Sequence, residues 1–486
     1  MSTQIIELTR RTCQLFTYFL IFFSTVNIIV YMIFYIPGLF YPLSLTLEEG
    51  ELFYATINAF SNKVYGDINK TFLPLTFPPF FLITTHVIFK VTQPSIIIGR
   101  VVTVTSLFIV ALMMMLIVKE GISKNKLYYL LGFSLPFLPL FTKAYSLPFK
   151  SEMFGIAIGL VGLFMFLKRR YATSGIILAI SILTKQILVT IPLALLLHLT
   201  IVERSKRGTL HFTLSLLVSL ALILYAYSIY IRGNVLLHIL VYYFACTLDF
   251  SRYSLYFPTY LALLIIYILC LMVVRKKEGI TWLEIYGILT LLVTLYTIIR
   301  VDETINCFTQ PYLATSLLLI KTLNQLSSIP NSIEGYRNAH INIQTTIVIT
   351  LILLVIFSSF VAIQNLRPTV CPVFTEAMKE DLRALISLIR GCRGIVLSED
   401  NMLSVLAGKE IIVNYFRLIQ LYKLKLWDYK TLIEAMKEGK VSTVILTFNV
   451  KEGSYAPYLP PEVIETIREY YTLKDRILGY YVYYHI

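Results

Sequence analysis

The segment from Leu47 to His86, LEEGELFYATINAFSNKVYGDINKTFLPLTFPPFFLITTH, decides how the rest of the chain is read. Glu48 and Glu49 follow directly on a long apolar run and precede Gly50, so two carboxylates are held at the edge of a hydrocarbon layer. Ionisable groups at that depth are costly unless they pair or meet a ligand, which makes them functional candidates by default. Leu52, Phe53, Ile57 and Phe60 then recur at helical spacing, Gly66-Asp67 marks a turn, and Pro78-Pro79 opens a second apolar stretch. The pattern predicts a first outer loop over about residues 41–95, amphipathic and lying on the membrane surface.

Composition extends that reading to the whole chain. Of 486 residues, 57% are hydrophobic and 14% charged, where an ordinary soluble domain has about a quarter of its residues charged. With a mean hydropathy of +0.74, the chain is expected to be a polytopic α-helical membrane protein. Its net charge of +14 would suit a nucleic-acid binder. The lysines and arginines, however, fall in short clusters between apolar runs, which is a topology signal, and no nucleic-acid partner is expected. The 34 Tyr and 31 Phe suit aromatic belts at the two interfaces. The six cysteines, at 13, 246, 270, 307, 371 and 392, lack the short paired spacing of a zinc or iron-sulfur site. Cys371 and Cys392 both fall in the terminal domain, where an extracytoplasmic disulfide would persist, and whether they pair is open at this point. The first apolar run, about Leu15 to Phe40, is too long for a signal peptide and is read as a retained helix.

Arg10-Arg11 precedes that helix and places the N-terminus in the cytoplasm. Further spans are expected over Ile96 to Val118, from Lys126 to the loop at Lys143 to Glu152, and from there to Lys168-Arg169-Arg170. Ser174 to Leu183 and Ile187 to Ile201 form a hairpin with Thr184-Lys185-Gln186 at its outer tip. Phe212 to Ile231 leads to an outer segment ending at Pro258. Spans then run to Arg275-Lys276-Lys277, to Arg300 to Glu303, from Phe308 to Ile320, and finally over Ile343 to Ile363. That is about eleven spans, each near the length that crosses roughly 30 Å. The membrane unit is assigned to residues 1–364. Residues 365–486 turn soluble, with helices over Thr375 to Leu388 and Lys430 to Gly439 and strands at Gly394 to Ser398 and Ser442 to Phe448, and predict an extracytoplasmic α/β domain.

This topology gathers Glu48, Glu49, Lys150, Glu152, Lys185, Gln186, Arg232, Asp249, Arg252, Arg300, Asp302, Glu303 and Asn306 on the outer face. Carboxylates beside cations suit a phosphate-bearing lipid and a nucleophile that must lose a proton: a carboxylate serves as general base, and Lys or Arg holds the phosphate as it leaves. Each has a plainer reading. Glu48-Glu49 would also suit a solvated interfacial pair, Lys185 a snorkelling lysine, Lys150 and Glu152 a local salt bridge, and Arg300 to Glu303 a helix-end cluster. His86 and His238 lack a second ligand at helical spacing and are read as packing residues. Asn69-Lys70-Thr71 is an N-glycosylation triplet, and Asp428 is read as capping the helix from Lys430.

Several motifs together resemble the GT-C superfamily of membrane glycosyltransferases, in particular the group related to protein O-mannosyltransferases and lipid A aminoarabinose transferases. Glu48-Glu49-Gly50 with Tyr54, Tyr65-Gly66-Asp67 and Pro78-Pro79 is similar to that family's first-loop layout. Gly99-Arg100, Lys150-Ser151-Glu152, Leu183-Thr184-Lys185-Gln186 and Asn306 to Pro311 resemble its later motifs. The departures are Glu48 and Glu152, where the family has Asp.

The resemblance implies an inverting glycosyltransferase that takes a sugar from a polyprenyl- or dolichyl-phosphate carrier to a lipid, glycan or protein acceptor at the outer face of a cell membrane. Glu48 or Glu49 is the implied base. Lys185 is the implied phosphate ligand, with Arg100 and Arg300 as second choices, while Lys150, Glu152 and Asn306 contact donor, sugar or acceptor. No metal is demanded, since cationic side chains stabilise the leaving phosphate. The alternative is a transporter or lipid flippase, which calls for ionisable groups in mid-span and broken helices in two matching halves; a third reading is an inactive surface scaffold whose terminal domain binds a partner.

Overall fold

The computed structural model describes residues 2–139, 146–274, 279–300, 305–328, 375–409, 413–452 and 459–486. The expected last span, Ile343 to Ile363, lies outside them, as do Asp302, Glu303 and Cys371. Among the described residues four helices are long and apolar enough to cross a membrane: Arg10–Phe40, Ile96–Gly121, Lys206–Ile231 and Arg252–Val274. Five shorter apolar helices pack among them, at Pro79–Thr92, Ser151–Leu167, Tyr171–Ile182, Gln186–Val202 and Trp282–Ile298. The protein is a multi-pass, mostly helical membrane protein.

Two expectations about the apolar helices need correction. The span expected from Lys126 ends as a regular helix at Ser134 and passes into a short 3-10 turn over Leu135–Phe137, because Pro136 cannot continue the α-helical ladder. The segment expected to stay outside up to Pro258 is already helical from Arg252, with the proline in the second turn. The segment expected to form the first outer loop is more ordered than an amphipathic loop. It holds the helix Leu47–Ile57, here α1, and the helix Pro79–Thr92, here α2, which starts on the Pro78-Pro79 pair because a proline at the first helical position surrenders no hydrogen bond. His238 stands between the carbonyls of Gly66 and Leu75 and ties the intervening stretch to the bundle.

The bundle has two chemically different ends. At one, Lys168 pairs with Glu120, the Arg10 side chain donates to the Ser327 carbonyl, and Ser123 bonds Asn324. At the other lie α1, the start of Ser151–Leu167, the Thr184-Lys185-Gln186 turn and the C-terminal sheet. Close packing between them depends on small residues: a Cβ on Gly155 would come 2.5 Å from Leu188 of the adjoining turn.

The C-terminal part forms a four-stranded sheet of order β1-β2-β4-β3: β1 Ile395–Ser398, β2 Val441–Leu446, β3 Tyr471–Ile477 and β4 Tyr480–His485. β1 and β2 are parallel and joined by a helical crossover, whereas β2-β4 and β4-β3 are antiparallel. The β3-β4 hairpin turns at Leu478 and Gly479, both at positive φ (53° and 83°), as a two-residue turn of matching twist requires. Helix Glu376–Gly391 packs its Leu382, Leu385 and Ile389 face against Val396, Ile445 and Val482. Cys392 is a free thiol that donates to the Leu388 carbonyl, and Cys371, with which the sequence left a pairing open, lies outside the described residues. Asp428 accepts from the Lys430 N–H, as expected.

Candidate active site

Helix α1 carries three carboxylates in its first two turns, and the 100° step between helical neighbours sends them to different surroundings. Glu49 points into the bundle and is fully buried. Arg100 meets it in a bidentate pair, Nε to Oε1 and Nη2 to Oε2, both at 2.9 Å. Glu49 also accepts from the backbone N–H groups of Leu45 (2.5 Å) and Phe149 (2.6 Å). The remaining Arg100 donors reach the carbonyls of Gly38, Leu39, Tyr41 and Leu43. This cluster fastens the end of the first membrane helix, the start of the second and the chain at Phe149 to one another. Its hydrogen-bonding capacity is spent on the protein itself.

Glu48 turns the other way. Its side chain is 43% exposed, and Oε2 lies 2.8 Å from Lys150 Nζ. Both border a cavity with Thr76, Phe77, Glu152, Lys185, Asn306 and Arg417. Across it Lys185 Nζ is 3.2 Å from Glu152 Oε2, and the Asn306 amide donates to the same oxygen. Lys150 and Glu152 flank the start of Ser151–Leu167, where the positive end of the helix favours a carboxylate. The lining thus holds three cations, Lys150, Lys185 and Arg417, against two carboxylates, Glu48 and Glu152. Partial burial alone would raise the Glu48 carboxyl, but the Lys150 ammonium, with Lys185 and Arg417 farther off, holds it below the usual glutamate value. At neutral pH it is an anion.

Glu51 forms the seam with the C-terminal unit. The Asn414 amide donates to Glu51 Oε2, and burial together with the Glu48 charge pushes Glu51 up to about 7, against the Asn414 bond and Arg417. Beside it, Gly50 packs on the helix Asn401–Leu406; a Cβ there would come 2.3 Å from the Met402 nitrogen. Asp400, the cap of that helix, accepts from Ser44 at 2.8 Å and Tyr480 at 3.1 Å. The Glu-Glu-Gly-Glu run therefore supplies in order a cavity carboxylate, a buried clamp, a flat contact and a docking group.

The architecture matches solved structures. ArnT from Cupriavidus metallidurans in the apo state superposes with a TM-score of 0.59 at 11% identity, over 95% of this chain and 97% of that one. The same protein bound to undecaprenyl phosphate gives 0.59 at 12% identity, over 97% and 98%. The chain has the fold of ArnT. No family model and no curated protein matches the sequence.

Within this ArnT-like fold the other expected residues divide. Gln186 borders the cavity and donates to the carbonyls of Thr76 (2.9 Å) and Ile239 (3.0 Å). Arg300 is fully buried behind the cavity wall: Nη2 donates to the Tyr243 carbonyl at 2.6 Å, and its guanidinium lies 4.5 Å from that ring centroid. Tyr243, not Arg300, faces the cavity. Asp249 caps Ser251 and Arg252 donates to the Arg300 carbonyl, both away from the lining. Asn69 accepts from the Trp427 indole at 2.8 Å, so its side chain is engaged in the seam.

Arg417 is the residue the sequence reading lacks. It lies on helix Tyr415–Lys423, is 9% exposed among buried Leu418, Ile419 and Leu421, and reaches Thr76 Oγ1 at 3.4 Å. An arginine on the apolar face of an amphipathic helix is the signal that would have found it, because such a charge stays buried only beside a partner or a ligand.

Proposed function

We propose that the protein is a glycosyltransferase that transfers a sugar from a polyprenyl-phosphate carrier to an acceptor hydroxyl, with inversion at the anomeric carbon. The observation that carries this reading is the cavity itself: an ionised carboxylate open to it, Glu48, pairs with Lys150 at 2.8 Å in a lining shared with Lys185, in a fold whose solved counterpart binds undecaprenyl phosphate. The acceptor oxygen attacks the anomeric carbon as Glu48 takes its proton, and the bond from that carbon to the phosphate oxygen breaks. The phosphate leaves with the electron pair, and Lys185, Lys150 and Arg417 receive its charge. Glu152 and Asn306 hold Lys185 in place and offer hydrogen bonds to the sugar. Glu49 and Arg100 act by positioning α1.

The end of the bundle that carries the sheet faces outward in this reading, because the basic clusters collect at the opposite end. Residues 365–486 then form the extracytoplasmic domain and contribute Arg417 to the site. The membrane delivers the donor sideways, and a single displacement needs no covalent sugar intermediate and no metal. The test is transfer of labelled sugar from native lipid-phosphate donors by membranes containing wild type, Glu48→Gln or Lys185→Ala at equal expression. Transfer by the wild type that is silent in Glu48→Gln supports the mechanism. Normal transfer by Glu48→Gln refutes it.

A further inference from the structure

At the end of the bundle opposite the candidate active site lies a second polar cavity, of about 190 Å³, that the transfer reading does not use. It opens among the C-terminus of Ile96–Gly121, His198, the first turn of Trp282–Ile298, and Lys321, Asn324 and Gln325 on helix Thr309–Ser327. By volume it would take about six waters at roughly 30 Å³ each, or one phosphate-sized headgroup.

The lining is only partly satisfied. Lys321 Nζ is 3.0 Å from Glu284 Oε1, Glu284 closes a capping box with Thr281, and Asn324 is bonded to Ser123 and the Ile122 carbonyl. Gln325, 8% exposed, has no partner at either end of its amide, and His198, 7% exposed, has none at Nδ1. Buried polar groups are almost always bonded, so an amide empty at both ends marks a place where another molecule completes the set. The group that fits must accept hydrogen bonds from the Gln325 nitrogen beside the Lys321 ammonium and the positive end of a helix, and must donate one to the Gln325 oxygen. A phosphate ester that carries a hydroxyl does both. Apolar Ile201, Val202 and Ile280 are exposed on neighbouring segments, and Lys119, Lys124 and Lys168 lie at the same end. Apolar surface beside clustered lysines suits an anionic headgroup with its acyl chains alongside.

The geometry points to a binding site for the phosphate-hydroxyl headgroup of a membrane lipid, centred on Gln325, Lys321 and His198 and separate from the transfer site. The inference does not rest on the transfer reading. The test uses the full purified chain in neutral detergent and follows thermal unfolding and native mass spectra with phosphatidylglycerol, glycerol 3-phosphate or inorganic phosphate. Phosphatidylglycerol is expected to raise the melting temperature and leave one bound lipid per chain. Gln325→Glu, of nearly the same shape but anionic, is expected to abolish that shift while unfolding normally without lipid; Gln325→Met is expected to weaken it. If the soluble phosphates shift the protein as much as the lipid, the occupant is a free phosphate ester and the lipid assignment falls. If none of the three probes shifts the wild type, or Gln325→Glu responds as the wild type does, the cavity holds water and the site is refuted.

Discussion

The two polar cavities, one at each end of the bundle, use the same elementary unit and differ in what surrounds it. Each has a lysine in its lining that pairs with a glutamate near a helix start: Lys185 to Glu152 at 3.2 Å on the sheet side, where both residues line the cavity, and Lys321 to Glu284 at 3.0 Å on the basic side, where the glutamate lies behind the lining. On the basic side Glu284 is 3% exposed, and its oxygens are taken by Lys321 and the Thr281 cap. On the sheet side a second carboxylate, Glu48, stays 43% exposed, and Lys150 and Arg417 leave the lining with one cation more than it has carboxylates. A buried ion pair is therefore a poor marker of chemistry. An accessible carboxylate beside surplus positive charge is a better one, because only such a group has capacity left for a proton and a phosphate.

The comparison breaks first at Glu48. Glu48→Gln keeps the shape but removes the proposed base and is expected to slow transfer by about 10²- to 10⁴-fold, whereas Glu284→Gln should leave turnover per folded molecule close to wild type. Radiolabel transfer normalised to folded protein decides between them, and equal losses would erase the distinction. The buried clamp comes next. Glu49→Ala strips Arg100 of its partner and is expected to cost about 3–5 kcal/mol of stability, as breaking a buried pair does, read as lost folded yield and a lowered melting temperature.

Arg417 sharpens the contrast from the soluble side. Arg417→Ala is expected to raise the KM for the lipid-phosphate donor by about 10-fold, the scale of one charge-assisted bond, with partial rescue by Arg417→Lys. Donor titration at saturating acceptor checks it, and an unchanged KM would remove Arg417 from the phosphate site. The smallest effect is a pH dependence. The Glu51 carboxyl sits at about 7 against an ordinary 4.5. The folded state thus favours its protonated form, and its contribution to stability is full at low pH and lost as pH rises from 4.5 through about 7. Melting temperatures across that window should fall less in Glu51→Gln than in the wild type.

The sites were legible to different degrees. Lys150, Glu152, Lys185 and Asn306 lie at helix ends flanked by apolar runs, so their cost in a membrane makes them visible in sequence, and the structure brings all four to one cavity. Glu48 and Glu49 are equally visible yet indistinguishable there: one residue of helical rotation separates the open cavity from the Arg100 clamp, and only the packed neighbours say which way each turns. Arg100 and Arg300 carry the same formal charge as Lys185, but the Arg100 donors are consumed by Glu49 and backbone carbonyls, and Arg300 lies fully buried behind Tyr243, to whose carbonyl its Nη2 donates. The strands at Ile395–Ser398 and Val441–Leu446 follow from their runs of branched residues. The β3-β4 hairpin is tyrosine-rich and charged, and the sequence reading contains no strand there.

Hydropathy, basic clusters and the carboxylates beside Gly50 determined by themselves a multi-pass helical protein with polar groups gathered at helix ends and a soluble α/β tail, because the cost of charge in hydrocarbon acts on each stretch locally. Which carboxylate meets the cavity, how Arg417 arrives from more than 200 residues beyond Lys185, and why Gln325 is left with an unfilled amide were decided by tertiary structure alone. These depend on contacts between segments far apart in the chain, and no local pattern of residues encodes the angle at which such segments meet.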